Sequence, residues 1–181
     1  MTFQLLDGKA AAAHAADLQA LHAEVYPDLA DDRDQAAVFA ERFRVQRRQP
    51  GFVLAAARRG GYLVGYAAGM PLRPSTSWWR DLTTPLADDV TAEYPGRTFA
   101  LTDLLVRASW RRQGIGRALH DLILDSRHEE RATLTVPPAA LPAQHAFQSW
   151  GWHKVARTRD ARPGSPMSDV LIMTLPAARE P

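Results

Sequence analysis

The sequence predicts one α/β domain over residues 1–181. Three observations predict it. The length suits a single domain that buries its own core. The apolar pattern alternates between helical period and short strand-like runs. At 102–119, an apolar run (Thr-Asp-Leu-Leu-Val) passes through a basic, glycine-punctuated loop into a periodic helix.

The elements follow in order. Residues 2–6 form a first strand. Ala10 to Val25 reads as a helix with His14, Leu18, Leu21 and Val25 on one face, stopped by Pro27. An acidic loop runs from Asp28 to Asp34. Asp32 or Asp34 caps a second helix reaching about Gln49, with Val38, Phe39 and Phe43 inward. Pro50-Gly51 breaks it. Phe52–Arg58 and Tyr62–Met70 are strands of a hairpin turned by Gly60-Gly61. Residues 71–96 are proline-rich and irregular, with room for one short helix. Thr98–Val106 is a strand. Ile115, Ala118, Leu119, Leu122, Ile123 and Ser126 then mark one helical face. Ala132–Val136 is a short strand, and Pro142–Trp150 a short helix with proline in its first turn and Gly151 at its end. Trp152–Thr158 and Asp169–Leu175 are the last strands, separated by a Pro/Gly/Ser loop.

The chemistry concentrates after Val106. A strand, a glycine loop and a helix start point backbone N–H groups and a helix dipole at one place, which suits a pyrophosphate. Glycine at 114 and 116 lets the backbone approach the anion. Arg111, Arg112 and Arg117 add charge-assisted contacts. No Gly-Lys-Ser/Thr closes the loop, so it is not a Walker A sequence. It does not match Gly-x-Gly-x-x-Gly either.

The form Arg111-x-x-Gly114-x-Gly116 resembles the acyl-CoA loop of the GCN5-related N-acetyltransferase (GNAT) family. The stretch Ala143 to Trp152, with Phe147 and Trp150-Gly-Trp152, resembles that family's second helix. The resemblance covers about residues 2–175. It implies a mixed, mostly antiparallel sheet splayed near its centre and flanked by about four helices. It implies acetyl-CoA or another acyl-CoA as donor, with no metal. Leu104, Leu105 and Val106 are implied to pair with the pantetheine arm. Arg112, Gln113, Gly114, Ile115, Gly116 and Arg117 are implied to wrap the pyrophosphate, with Arg111 beside them. The implied reaction is direct attack of an amine on the thioester in a ternary complex.

The chain departs from the family pattern at three polar positions. The usual tyrosine donor to the leaving thiolate is Phe147, which has no O–H. The asparagine often found seven residues earlier is Ala140, and the glutamate four residues before Val106 is Thr102. Asp103, beside it, is then the nearest carboxylate to the thioester and a candidate base or water-orienter. Its alternative is a strand-end carboxylate bonded to backbone. Thr102 and Asp103 point to opposite faces of the strand. His145 is a lesser candidate acid, and His120 reads as packed against the sheet.

The acceptor side is less legible. Tyr26 and the loop after it, with Trp78 and Trp79, are candidate acceptor walls; the tryptophans serve equally to cap the core. Asp88, Asp89 and Glu93 are a candidate attraction for a cationic amine. The expected partner is a small-molecule amine, as in detoxification or specialised metabolism. An acyl carrier protein as donor, or a non-catalytic CoA- or partner-binding domain, are the alternatives. A homodimer is a family expectation.

Composition narrows the classes. There are no cysteines, so thiolate chemistry and disulfides are excluded. Net charge is +2, which argues against a nucleic-acid surface. The first residues have no basic-then-apolar pattern of a secretory leader, and no apolar run spans a bilayer. A cytoplasmic location and no membrane partner are expected. The arginine and alanine bias is that of a GC-rich bacterial coding sequence. The histidines show no metal-ligand spacing.

Overall fold

Two consecutive glycines, both with left-handed backbone (Gly60 φ 55°, Gly61 φ 83°), turn the chain between β2 (Val53–Arg59) and β3 (Tyr62–Pro71). The strands pair antiparallel, with a register shift between Ala57 and Arg58. The predicted hairpin is therefore present, and its turn needs glycine because φ is positive twice. The computed structural model describes residues 1–26, 33–159 and 167–176. Its other strands are β1 (Thr2–Asp7), β4 (Thr98–Val106), β5 (Arg131–Val136), β6 (His153–Arg159) and β7 (Met167–Thr174). The helices are α1 (Ala15–Val25), α2 (Arg33–Gln46), α3 (Asp88–Thr91), α4 (Ile115–Asp125) and α5 (Leu141–Ser149), with 3-10 turns at Ala10–His14 and Ala108–Trp110. The seven strands form an open, mostly antiparallel sheet in the order β1-β2-β3-β4-β5-β7-β6, with β4 and β5 parallel.

The chain divides into two compact units. The first comprises Met1–Met70 and Leu101–Arg127. Its core joins Leu6 of β1, Leu18 and Leu21 of α1, Phe39 and Phe43 of α2, and Tyr66 of β3. Asp7 shapes the entry to α1: its carboxylate accepts the amides of Lys9 and Ala10 at 3.0 and 2.8 Å. The predicted first helix thus opens as a 3-10 turn, since a side-chain acceptor tightens the first turn. Val38 departs from the prediction that it faces inward; it is 50% exposed. The buried stripe of α2 is Phe39 and Phe43, whose rings stack at 6.2 Å, and Val38 lies one helical step round from it. α2 ends at Gln46, before the predicted Gln49, where Arg48 N–H bonds back three residues to Val45. The predicted cap Asp32 and the side chain of Asp34 lie outside the described residues, as does the Pro/Gly/Ser loop at 160–166.

In the same unit α4 buries Ile115, Leu119 and Ile123, as its periodicity predicts. Gly65 of β3 allows this packing. A Cβ there would lie 2.8 Å from the Leu105 carbonyl oxygen and 3.2 Å from both Leu119 and Val106 side chains. An isolated glycine inside a strand often marks such a close approach.

The second unit comprises Pro71–Ala100 and the chain from His128 onward. β5 and β7 pair antiparallel over six residues, and β6 pairs on β7. The short helix expected within 71–96 is α3. α5 ends at Ser149, and Gly151 just beyond it, with φ 93°, turns the chain so that Trp152 N–H bonds the Phe147 carbonyl at 3.1 Å. β7 begins at Met167, two residues before the predicted strand start.

Candidate active site

β4 contributes to both units. Its parallel ladder with β5 covers Thr98, Phe99 and Ala100, and the strand itself runs on to Val106. Leu104 and Val106 are half-buried and Leu105 is buried.

The chain leaves β4 through Arg107, which is 7% exposed. Its amide bonds Val64 O at 2.9 Å and its Nε donates to Leu63 O at 2.7 Å. Its guanidinium pairs with Glu24 of α1 and lies 4.4 Å from the Tyr62 ring centroid. Arg107 therefore anchors the start of the loop in the protein. The sequence carried no sign of this, because one arginine among 22 basic residues looks like any other.

The loop then turns sharply. Arg112 has φ 61°, the single positive φ outside glycine among the described residues, and Gly114 has φ 78°. Left-handed backbone at a non-glycine residue costs about 1–2 kcal/mol. Such strain is held by surrounding structure and clusters at ligand sites. Gly114 is the N-cap of α4, and the first helical bond runs from Ala118 N–H to its carbonyl. No side chain caps this helix. The amides of its first turn have no helical carbonyl within reach, so they point out of the helix end with its positive dipole. A Cβ added at Gly114 would meet nothing within 4 Å. The glycine thus serves a left-handed turn with open space before it, and the residues present fit a pyrophosphate.

Arg111, Arg112, Gln113 and Gly114 are exposed. Arg111 Nε donates to Val106 O at 3.0 Å, which ties the loop to the end of β4. Gln113 Nε2 bonds Ser109 O at 3.3 Å. Arg117 Nε pairs with Asp121 at 2.6 Å along the helix. His120 is buried, with Nδ1 2.7 Å from Asp121. Burial pushes its pKa below the usual histidine value, against the opposing pull of Asp121.

Asp103 lies on β4 with its side chain 9% exposed. Arg42 of α2 donates from Nη2 to its Oδ1 at 2.9 Å. Thr102, on the other face, bonds Ala68 O. Arg42 lies 5.6 Å from the Phe39 ring centroid, Phe39 is 4.6 Å from His22, and His22 is 5.0 Å from Tyr26. Burial and Arg42 hold His22 below its ordinary pKa, against Asp103, so it is neutral near pH 7. Burial and the Asp103 charge raise Tyr26. Tyr66 is pushed well above the phenol range by burial first and Asp103 second, so its O–H is a donor. Asp103 and Tyr26 are candidates of the sequence reading; Arg42, His22 and Tyr66, which the structure places around them, are not. Arg42 and Asp103 are 61 residues apart, and no local signal joins them.

In the second unit, Phe147 is buried in an aromatic cluster, edge-on to Trp150 at 5.6 Å and Trp152 at 5.9 Å. His145 is exposed. Trp79 packs with Leu72, Ala100, Ala156 and Val170, and its indole donates to Glu93 at 2.9 Å. That is the core-capping use of this residue, and Trp78 packs against the same cluster. Glu93 is 1% exposed and paired with Arg131 at 3.0 Å, so it presents no acidic face with Asp88 and Asp89.

The chain belongs to the acetyltransferase (GNAT) family, whose model matches residues 15–152. No curated protein matches the sequence. Among solved structures it is similar to aminoglycoside 6'-acetyltransferase type Ii, at 17% identity and TM-score 0.69 over 100% of both chains. It is similar to aminoglycoside 6'-N-acetyltransferase complexed with coenzyme A, at 15% identity and TM-score 0.65 over 99% of this chain and 100% of that one. The ribosomal-protein-S18-alanine N-acetyltransferase from Escherichia coli matches at 16% identity and TM-score 0.60, over 99% and 96%. At these identities the likeness is one of fold. No described helix is long and apolar enough to cross a membrane.

Proposed function

We propose that this chain transfers an acetyl group from acetyl-CoA to the amine of a small molecule, by direct attack within a ternary complex. The observation that carries the reading is the start of α4: an uncapped helix end behind a left-handed glycine with open space at its Cβ position. Arg111, Arg112, Gln113, Gly114, Ile115, Gly116 and Arg117 would hold the pyrophosphate. Arg117 would do so from a side chain now paired with Asp121. Leu104, Leu105 and Val106 of β4 would pair with the pantetheine arm as an added strand would.

Bound acetyl-CoA supplies the thioester carbonyl. A backbone N–H of β4 would stabilise negative charge developing on its oxygen. Asp103 would take a proton from the attacking amine, directly or through one water. Arg42 supports that role by keeping the carboxylate in one orientation. As the new C–N bond forms the C–S bond breaks, and the CoA thiolate leaves. Phe147 has no proton to give, so water would protonate the thiolate, a fair leaving group. Tyr26 would line the acceptor side. A small amine is supported by the likeness to the two aminoglycoside acetyltransferases. Such chemistry belongs in the cytoplasm, where acyl-CoA is made.

Calorimetry with acetyl-CoA, followed by thiol release with a panel of amines at pH 8, tests the reading. Binding in the micromolar range with amine-dependent thiol release is expected. No binding of any acyl-CoA would reject it.

A further inference from the structure

The acceptor side of the first unit carries two opposite charges where the reaction needs one. Asp103 alone would draw in a cationic amine and take its proton. Instead Arg42 sits on it, through one contact: Nη2 to Oδ1 at 2.9 Å. The carboxylate is 9% exposed, while the guanidinium is 39% exposed. A guanidinium has five N–H donors. Among the described residues its side-chain hydrogen bond goes to Asp103, and its Cζ lies over the Phe39 ring, 5.6 Å from the centroid.

We propose that Arg42 and Asp103 together recognise an acceptor that carries a carboxylate next to its amine, as in a free amino acid. The acceptor's carboxylate accepts from Arg42, and its ammonium donates to Asp103, which then takes the proton before attack. This rests on the acyl-transfer reading above and names the substrate class of that site.

Three further observations point the same way. First, among the described residues, the charges that bear on this wall are one anion and two cations. Asp103 is the anion that bears on His22, Tyr26 and Tyr66, while Arg42 bears on all three and Arg111 also on Tyr26. A second ammonium on the acceptor would meet Arg42 as a like charge. Second, the Tyr66 hydroxyl is buried without a hydrogen-bond partner among the described residues. Burial, with the charge of Asp103, keeps it protonated, and it is a donor suited to a carboxylate oxygen. Third, the rings of Phe39, His22 and Tyr26 stack in a row beside the pair, and the exposed Tyr26 at its end offers an apolar face for the rest of a small molecule. The pair is also poor as a mere structural strut. A one-contact ion pair with a partly exposed arginine stabilises little, while nearly burying the carboxylate is costly.

The test uses the full chain with CoA bound, titrated by calorimetry with the proteinogenic amino acids, their carboxamides, the matching decarboxylated amines, and spermidine. The same panel is run for thiol release with acetyl-CoA. For at least one amino acid, binding and kcat/KM should exceed those of its carboxamide and its decarboxylated amine by about tenfold or more. Arg42→Gln should bring that ratio to near one through KM, with the fold checked by circular dichroism, and Arg42→Lys should restore part of it. The proposal is overturned if carboxamides match the acids, if spermidine is the best acceptor, if nothing in the panel binds, or if Arg42→Gln leaves the ratio intact. Carboxylate-dependent binding without thiol release from any amine would sink the acyl-transfer reading and leave the recognition standing.

Discussion

The proposed donor loop and the proposed acceptor wall lie in the same compact unit and are built in opposite ways. The loop from Arg107 to Arg117 works with backbone. Its left-handed turns at Arg112 and Gly114 and the open end of α4 come from consecutive residues. The acceptor wall works with side chains brought from α1, α2, β3 and β4: His22, Arg42, Tyr66 and Asp103. A backbone anion site needs only glycine and a helix start, and it tolerates variation around it. A site made from four elements depends on each packing correctly. The donor end therefore stays recognisable across a family, while the acceptor end defines the individual protein.

The largest effect that could break this contrast is on Asp103. Asp103→Asn should lower kcat by about 10²–10⁴ while leaving acetyl-CoA affinity unchanged. Steady-state rates beside calorimetry would show it, and an equal loss of donor affinity would mean that the two regions are not separable. Next comes Gly114→Val. A β-branched residue at φ 78° is strained and places a side chain before the amides. Acetyl-CoA should bind about tenfold to a hundredfold more weakly, or roughly 1.4–2.7 kcal/mol, with kcat at saturating donor largely kept. Phe147→Tyr should change kcat by no more than about twofold, since its ring is buried among Trp150 and Trp152; it should also lower stability by about 1–3 kcal/mol if the new hydroxyl finds no partner. A clear gain in rate would show that a donor is wanted there after all.

The smallest effect is a pH dependence shared by both regions. His22 on the acceptor wall and His120 on the donor helix both have pKa values lowered mainly by burial. Each folded value lies below the ordinary 6.5, so the unfolded chain takes up protons first as pH falls. Stability should be full above that value and decline as pH drops through it toward the folded values. Urea midpoints between pH 8 and pH 5 measure this, and His120→Gln should flatten the decline. A midpoint that rises on acidification would contradict the burial of both rings.

The strands, the glycine hairpin and the strand–loop–helix around Gly114 were legible because each depends on neighbours a few residues apart. Periodicity placed Ile115, Leu119 and Ile123 inward, and a helix has few ways to bury them. Val38 was misplaced because α2 carries more apolar residues than its buried stripe needs, and only the packing of Phe39 and Phe43 selects the stripe. Arg107 and Arg117 looked alike in sequence. One is buried against Glu24 and two backbone carbonyls, the other rides on the helix surface with Asp121. Charge type is local, but the choice of partner is not. Trp79 likewise suited a pocket or a core until Glu93 received its indole.

By itself, then, the sequence determined the family, the order of elements and the glycine-led helix start after β4, because backbone geometry and periodicity act over short stretches of chain. Only the tertiary structure decided which charges meet. Arg42 reaches Asp103, Glu24 reaches Arg107 and Tyr66 is buried within the field of Asp103 because separate elements pack together, and Coulomb and hydrogen-bond energies fall off with distance.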